Sequence, residues 1–253
     1  MKRLLQDSLR DWIEVQMRLL MDKETLPQRN LAAEEAIAYA VQQGIVYDTL
    51  RFWRNDKSVI LGYSNHVSSE VNVDLCRRNG IQIVRRTSGG GAVYQDLGNL
   101  NYSVVLNTSS FEVPRDILGV YKLFSEAVTV GLSRLGVKAE FHPPNALKIG
   151  GHKISGMAIH KLRNLCLVHG TLLVNADLET LNQVLRNLKD TVTNVSENHP
   201  DVTINRVQKG IATGFAEVFH VELYNDGFSE RELRKADDLR LKYENDSWNF
   251  RIM

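Results

Sequence analysis

The sequence is short of cysteine, of proline, of long apolar runs and of net charge, and each shortage removes a class of protein. Only two cysteines occur among 253 residues, Cys76 and Cys166. Two thiols cannot build a disulfide framework, so a reducing cytoplasm is the expected setting. No uninterrupted apolar stretch reaches the roughly 20 residues that a helix needs to cross a bilayer, and no membrane partner is expected. The N-terminus, Met1-Lys2-Arg3-Leu4-Leu5-Gln6-Asp7, turns polar directly after its basic residues and does not read as a secretory signal. With 31 Lys and Arg against 30 Asp and Glu, the formal charge is +1, without the basic excess of a dedicated nucleic-acid binder. The seven histidines form no His-Glu-x-x-His or paired Cys-His pattern, so no protein metal centre is expected. Five prolines make no linker, and there is no internal repeat, so the economical reading is one α+β domain.

What is present is a regular succession of patterned segments. Leu5, Leu9, Ile13, Met17 and Leu20 stand at helical spacing, which predicts an amphipathic helix over 4–21 and an N-terminal extension over residues 1–25. Asn30 reads as the N-cap of a second helix through Glu34 and Val41, ending before Gly44. Leu50–Trp53 and Ser58–Leu61 read as strands, and Val73–Asn79 as a short helix closed by Gly80. A longer helix is expected from about Asp116 to Leu135, then a strand over Val137–Phe141 broken by Pro143-Pro144. Gly150-Gly151 signals a tight hairpin between Leu147-Lys148-Ile149 and His152-Lys153-Ile154. Leu165–Asn175 is a strand pattern and Leu178–Leu188 a helical one. The last third reads as mostly helical, with Val207, Ile211, Phe215 and Val218 on one stripe and a Ser229/Glu232 capping box.

One stretch is unlike ordinary core or surface: Arg85-Arg86-Thr87-Ser88-Gly89-Gly90-Gly91-Ala92-Val93-Tyr94-Gln95-Asp96-Leu97-Gly98-Asn99. It lies between Ile81–Val84 and Leu100–Leu106, two strand patterns. Three glycines let backbone approach a ligand and expose N–H groups able to cradle an anion, and Arg86 adds a planar cation. The same composition also suits a Gly-rich hairpin loop with two solvated arginines. No Lys-Ser/Thr pair closes the run as in a Walker loop, and a strand rather than a helix follows, against a Rossmann fingerprint. No Gly-x-Ser-x-Gly elbow occurs either. Lys153, followed by Ile154-Ser155-Gly156, is the second residue of interest, because a lysine fixed beside exposed N–H groups can hold a carboxylate against a phosphate. Cys166 lies three residues before His169, so on a regular strand the two point to opposite faces, and both cysteines read as packing residues.

Together these residues resemble the lipoate-protein ligase branch of the biotin/lipoyl protein ligase superfamily, in the catalytic-domain-only form of archaeal members. The resemblance rests on Arg85–Asn99 and Lys148–Gly156. It continues through His169-Gly170-Thr171-Leu172-Leu173, Asn175-Ala176-Asp177-Leu178, Val192-Thr193-Asn194-Val195 and Ser247-Trp248-Asn249, and reaches back to Asn30–Glu35 and Ser58–Gly62. It implies the ligase catalytic fold over residues 26–253, a central mixed β-sheet flanked by helices. It also implies a two-step reaction in which lipoate and ATP, with Mg2+, give lipoyl-AMP and pyrophosphate, and the lysine amine of an acceptor domain then displaces AMP. Carried onto this chain, it assigns Lys153 to the carboxylate and α-phosphate. Nucleotide and acyl contacts fall to Arg86, Ser88, Gly89, Gly90, Gly91, Ala92, Val93, Tyr94, Asp96 and Asn99, with Asn145, Ser155, Gly156, His169 and Gly170.

Departures from that pattern matter. Ala146 follows Asn145 where the family has an acid, which argues against a metal at that spot, and Gln95 stands where the family has His. Longer members continue after the Trp-Asn with an accessory domain, so the resemblance implies a separate small accessory subunit beside a lipoyl carrier domain or H-type carrier protein. The alternative within the superfamily is a cysteine-dependent octanoyl or lipoyl transferase. Cysteine is missing from both segments that carry its nucleophile, 140–145 and 175–179, leaving Cys166 alone to support that alternative. A non-catalytic lipoyl-binding protein is the reading from a different class.

Overall fold

The computed structural model describes residues 15–109 and 111–253. Strand β1 (Val15–Met21) and helix α1 (Pro27–Gln42) are followed by β2 (Thr49–Trp53) and β3 (Ser58–Leu61). Two short helices, α2 (Val67–Glu70) and α3 (Val73–Arg78), precede β4 (Gln82–Arg85), β5 (Val93–Gln95) and β6 (Asn99–Asn107). Helix α4 (Ile117–Ser133) leads to β7 (Glu140–His142), β8 (Ala146–Ile149), β9 (His152–Leu162) and β10 (Leu165–Leu173). The chain continues through α5 (Leu178–Val184), α6 (Val195–Asn198), α7 (Ile204–Phe219), β11 (Val221–Asn225), α8 (Glu230–Glu244) and α9 (Asp246–Asn249).

Eight strands form one mixed sheet in the order β11-β1-β2-β6-β10-β9-β8-β7, and β4-β3-β5 form a second, smaller sheet. Strand β1 is parallel to both its neighbours, whereas the pairs from β2 to β7 are antiparallel. Helices α4 and α7 cover one face through Phe124, Val128, Leu132, Ile211 and Phe215, which pack with Leu50, Tyr102, Val104 and Val168. Helix α1 covers the other face through Ile37 and Val41, against Leu20, Val105 and Leu167. The mixed sheet flanked by helices matches the expected α+β ligase fold.

Helices α4 and α7 approach closely because glycines face each other. A Cβ on Gly214 would lie 2.1 Å from Ala127 O, and one on Gly131 would lie 2.4 Å from Gly210 O. Among the described residues no helix is long and apolar enough to cross a membrane.

Four sequence expectations need correction. Val15–Met21 is a strand rather than the end of an amphipathic helix, and residues 4–14 of that expected helix lie outside the described residues. Met17 belongs to the core on one face of the sheet and Leu20 to that on the other, so their spacing of three marks opposite sides of a strand. Asn30 is inside α1, which starts at Pro27, a residue suited to the first helical turn. Its buried Nδ2 donates to Glu24 O, Arg54 O and Asn55 Oδ1 at 2.9, 3.1 and 2.8 Å, tying the helix to the loop between β2 and β3. Helix α5 stops at Val184, short of Leu188. Strand β11 interrupts the expected helical last third and supplies an edge of the large sheet. The Ser229/Glu232 capping box at α8 is as expected.

Candidate active site

The glycine-rich loop leaves the end of β4 and passes over the middle of β10, where Ser88 meets His169, before re-entering the small sheet as β5. Its shape is set from inside by Arg86. That buried guanidinium donates from Nε to Ser88 Oγ at 3.0 Å, from Nη1 to Ile60 O at 3.0 Å, and from Nη2 to Gly89 O and Gly91 O at 2.6 and 2.9 Å. Burial pulls its pKa down to about 10 against the attraction of Glu34, so it is a cation at neutral pH. Gly90 takes φ 93°, a conformation that favours glycine. From the other side Tyr63 N donates to Ser88 O at 2.8 Å, and a Cβ on Gly62 would lie 2.0 Å from Gly90 O.

His169, on β10, fastens the loop to the large sheet. Its Nε2 lies 2.6 Å from Ser88 Oγ and its Nδ1 2.9 Å from Glu34 Oε2 on α1. Burial by itself would raise the Glu34 carboxyl, but the charge and hydrogen bond of His169 and the charge of Arg51 hold it below its ordinary value. The ionised carboxylate only accepts, so Nδ1 carries a proton. Ser88 Oγ, which accepts from Arg86 Nε, thus links Arg86 through His169 to Glu34.

These contacts frame a cavity of about 140 Å3 between the loop and the strands. It brings together Arg86, Gly90, Gly91, Ala92, Val93, Asn145, Lys153, Gly156, His169 and Gly170 from the expected set. The other expected residues are not among those that line it. Tyr94 is in the core with Val59 and Cys76, and Ser155 is buried with its Oγ 3.5 Å from Tyr102 Oη. Asp96 accepts from Gly98 N and Asp177 N at 2.7 and 2.9 Å, and Asn99 donates to Thr171 Oγ1 at 3.2 Å, so both hold the turn that ends the loop. Ser88 and Gly89 act within the loop, through Arg86.

Part of the cavity wall was not legible in the sequence. Leu31, Ile60 and Trp53 line its apolar side, and they carry the same periodicity as residues in any core helix or strand. Asn55, Gln95 and Asn101 make a polar strip. Gln95 Oε1 accepts from Asn55 Nδ2 at 2.6 Å, its Nε2 donates to Asn101 Oδ1 at 2.7 Å, and Asn55 Oδ1 takes a donation from Asn30 at 2.8 Å. The readable signal was Asn101, a polar residue amid the apolar pattern of β6.

Lys153 enters the cavity from the hairpin. Gly150 and Gly151 have φ 55° and 85°, as the turn between β8 and β9 requires. The lysine stem passes over Gly156, with Cε 3.2 Å from where a Cβ there would lie. Its side chain is 29% exposed, and among the described residues its ammonium has one polar contact, Asp190 Oδ2 at 3.4 Å. Asn145 braces the same strand, donating from Nδ2 to Met157 O at 2.5 Å. Among the described residues no group of three His, Cys, Asp or Glu side chains could hold a metal. Cys166 is buried in the core on the sheet face away from His169, and burial pushes its thiol up.

The model of the lipoyl protein ligase A/B catalytic domain matches residues 26–216. The chain belongs to that family. It is 33% identical over 258 residues to lipoate-protein ligase A subunit 1 of Thermoplasma acidophilum, covering 93% of this chain and 96% of that one. A solved lipoate protein ligase of T. acidophilum with bound lipoic acid superposes with TM-score 0.84 at 35% identity, over 93% of this chain and 99% of the other. A lipoate-protein ligase A bound with ATP gives 0.86 at 34% identity, over 94% and 100%. The T. acidophilum bi-partite ligase described with its E2 lipoyl domain gives 0.86 at 34%, over 94% and 98%. The family's transferase side is also represented: an octanoyltransferase LipM of Kyrpidia tusciae is 30% identical over 258 residues, 88% of this chain and 94% of that one.

Proposed function

We propose that this chain is an ATP-dependent lipoate-protein ligase that converts lipoate to lipoyl-AMP and transfers the lipoyl group to a lysine of a carrier protein. The observation that carries this reading is the division of labour between the two cations of the cavity. Arg86 donates to Ser88, Gly89 and Gly91 of the loop and to Ile60 O of β3, whereas Lys153 reaches the same cavity with a single 3.4 Å contact and can engage an arriving anion. An acid of lipoate's shape suits the wall of Leu31, Ile60 and Trp53 for its chain, with its carboxylate at Lys153.

In the first step a carboxylate oxygen attacks the α-phosphorus of ATP and pyrophosphate leaves. Lys153 offsets the repulsion between carboxylate and phosphate, and the N–H groups of the glycine loop meet the charge that gathers on the phosphate oxygens. In the second step the acceptor's amine attacks the anhydride carbonyl and AMP leaves. Mg2+ takes few protein ligands beside nucleotide phosphates, so it belongs with ATP as substrate rather than in a resident protein site.

The relatives named as ligases, one bound to lipoic acid and one to ATP, support both substrates. The bi-partite T. acidophilum ligase, described with its E2 lipoyl domain, supports a lipoyl-domain acceptor and a separate accessory subunit. The test is pyrophosphate release from purified protein, lipoate and Mg2+·ATP. Lys153→Ala should cut it by at least 100-fold, about 3 kcal/mol of transition-state stabilisation. If an octanoyl carrier instead donates its acyl group without ATP, and Cys166→Ser stops it, the transferase reading replaces this one. Supplying a lipoyl domain with and without the accessory subunit measures the second step alone.

A further inference from the structure

At the rim of the cavity Asp190 lies between two lysines. Its Oδ1 is 2.8 Å from Lys148 Nζ and its Oδ2 is 3.4 Å from Lys153 Nζ. All three side chains are partly buried, at 17% exposure for Lys148 and 29% for each of the others. The segment that carries Asp190 is bonded to the backbone of Lys153 itself. Lys153 N donates to Thr191 O at 2.9 Å, and Lys153 O accepts from Thr193 N at 3.1 Å. The carboxylate is thus carried by a stretch registered to the residue whose ammonium it touches. Its tighter partner is Lys148, whose hydrogen bond, with the charges of both lysines, holds the carboxyl below its usual range.

We propose that Asp190 is a positioning residue that holds the Lys153 ammonium at the cavity rim and yields it to the anionic substrate, with Lys148 as the counter-ion that makes yielding easy. This rests on the ligase reading of Lys153. The contact lengths carry the proposal: Asp190 makes its short contact to Lys148, and its 3.4 Å contact to Lys153 is at the long end of a hydrogen bond. A carboxylate and a phosphate entering the cavity therefore compete with one weak contact, and two lysines against one aspartate leave the rim with one positive charge in excess. Without Asp190 the two ammoniums repel and the Lys153 stem wanders. Without Lys148 the aspartate turns wholly to Lys153 and competes with the substrate.

The test compares the wild type with Asp190→Asn and Lys148→Met by two readouts. The first is acetylation of Lys153 by acetic anhydride without substrates, followed by peptide mass spectrometry. Asp190→Asn should speed it and Lys148→Met slow it, each by about threefold, the size a partly exposed ion pair supports. The second is pyrophosphate release. Asp190→Asn should lower both KM for lipoate and kcat, with kcat restored by Asp190→Glu. Lys148→Met should raise KM. Equal labelling in all three proteins, or KM shifts of the same sign in the two variants, would overturn the proposal. If Asp190→Asn does not fold, the Lys148→Met arm decides by itself. Labelling needs no turnover, so the expected labelling pattern in a wild type that releases no pyrophosphate would sink the ligase reading instead.

Discussion

Gln95 lies within a strip of neutral amides. Asn30, Asn55, Gln95 and Asn101 pair donor with acceptor in sequence, so none of them needs a proton to be satisfied and the strip keeps its polarity at any pH. The titratable pair of the site is instead Glu34 with His169, behind the loop. The Glu34 carboxyl is held below its ordinary value of 4.5, so its contribution to stability is full above that value and is lost as pH falls through the lower folded-state value. Glu34→Gln should therefore lower the urea midpoint at pH 7, and the gap from wild type should close as pH drops below 4.5. A gap that persists unchanged in acid would remove the charge from the explanation. The glycine loop stood out at this scale, but its composition also suited a hairpin with solvated arginines, and only its order relative to Lys153 and His169 made it legible as part of a site. The direction of Arg86 was not. A guanidinium carries five donors, and residue order does not say whether they reach a ligand or the loop's own carbonyls.

At the scale of elements, the sequence yielded most of the helices and the antiparallel strands, and failed at the parallel pair β1 and β11. A strand covered on both faces loses the period of two that marks a half-buried one, so Met17 and Leu20 imitate a helical face. What fixes β1 is also invisible in sequence order. Arg18 donates to Glu232 across 214 positions, from Nη1 to Oε2 at 2.8 Å and from Nη2 to Oε1 at 2.5 Å, and both side chains are buried. Glu232 is also the acid of the α8 capping box, accepting from Ser229 N at 2.8 Å, so one carboxylate ties the helix start to the sheet. Arg18→Met should destabilise the fold by about 3–5 kcal/mol because it strands a buried charge. Adding Glu232→Gln should restore much of the loss, since Gln keeps the capping geometry while removing the charge. Urea unfolding of the two variants checks this, and equal losses would mean that packing of the arginine stem, rather than charge, dominates.

For the whole molecule, the cavity lies between two sheets, with the loop of the small sheet fastened to β10 of the large one through Ser88–His169. A ligand that bridges loop and strands must then stabilise the native state by mass action, about 2.7 kcal/mol at a hundredfold excess over Kd. The helix pair α4 and α7 is on the core side of the large sheet, and its close crossing depends on Gly214, where a Cβ would lie 2.1 Å from Ala127 O. Two substitutions should therefore separate stability from binding. Lys153→Ala should leave the unliganded Tm nearly unchanged, because its ammonium has one weak contact, and should abolish most of the shift produced by lipoate with Mg2+·ATP. Gly214→Ala should do the converse, lowering the unliganded Tm by several degrees as the helices are forced apart while leaving the ligand-induced shift intact. Differential scanning calorimetry of both variants, with and without ligands, reads the four quantities together. Loss of the ligand shift in Gly214→Ala would show that the helix layer sets the geometry of the cavity, and that the two sheets are not an independent frame for it.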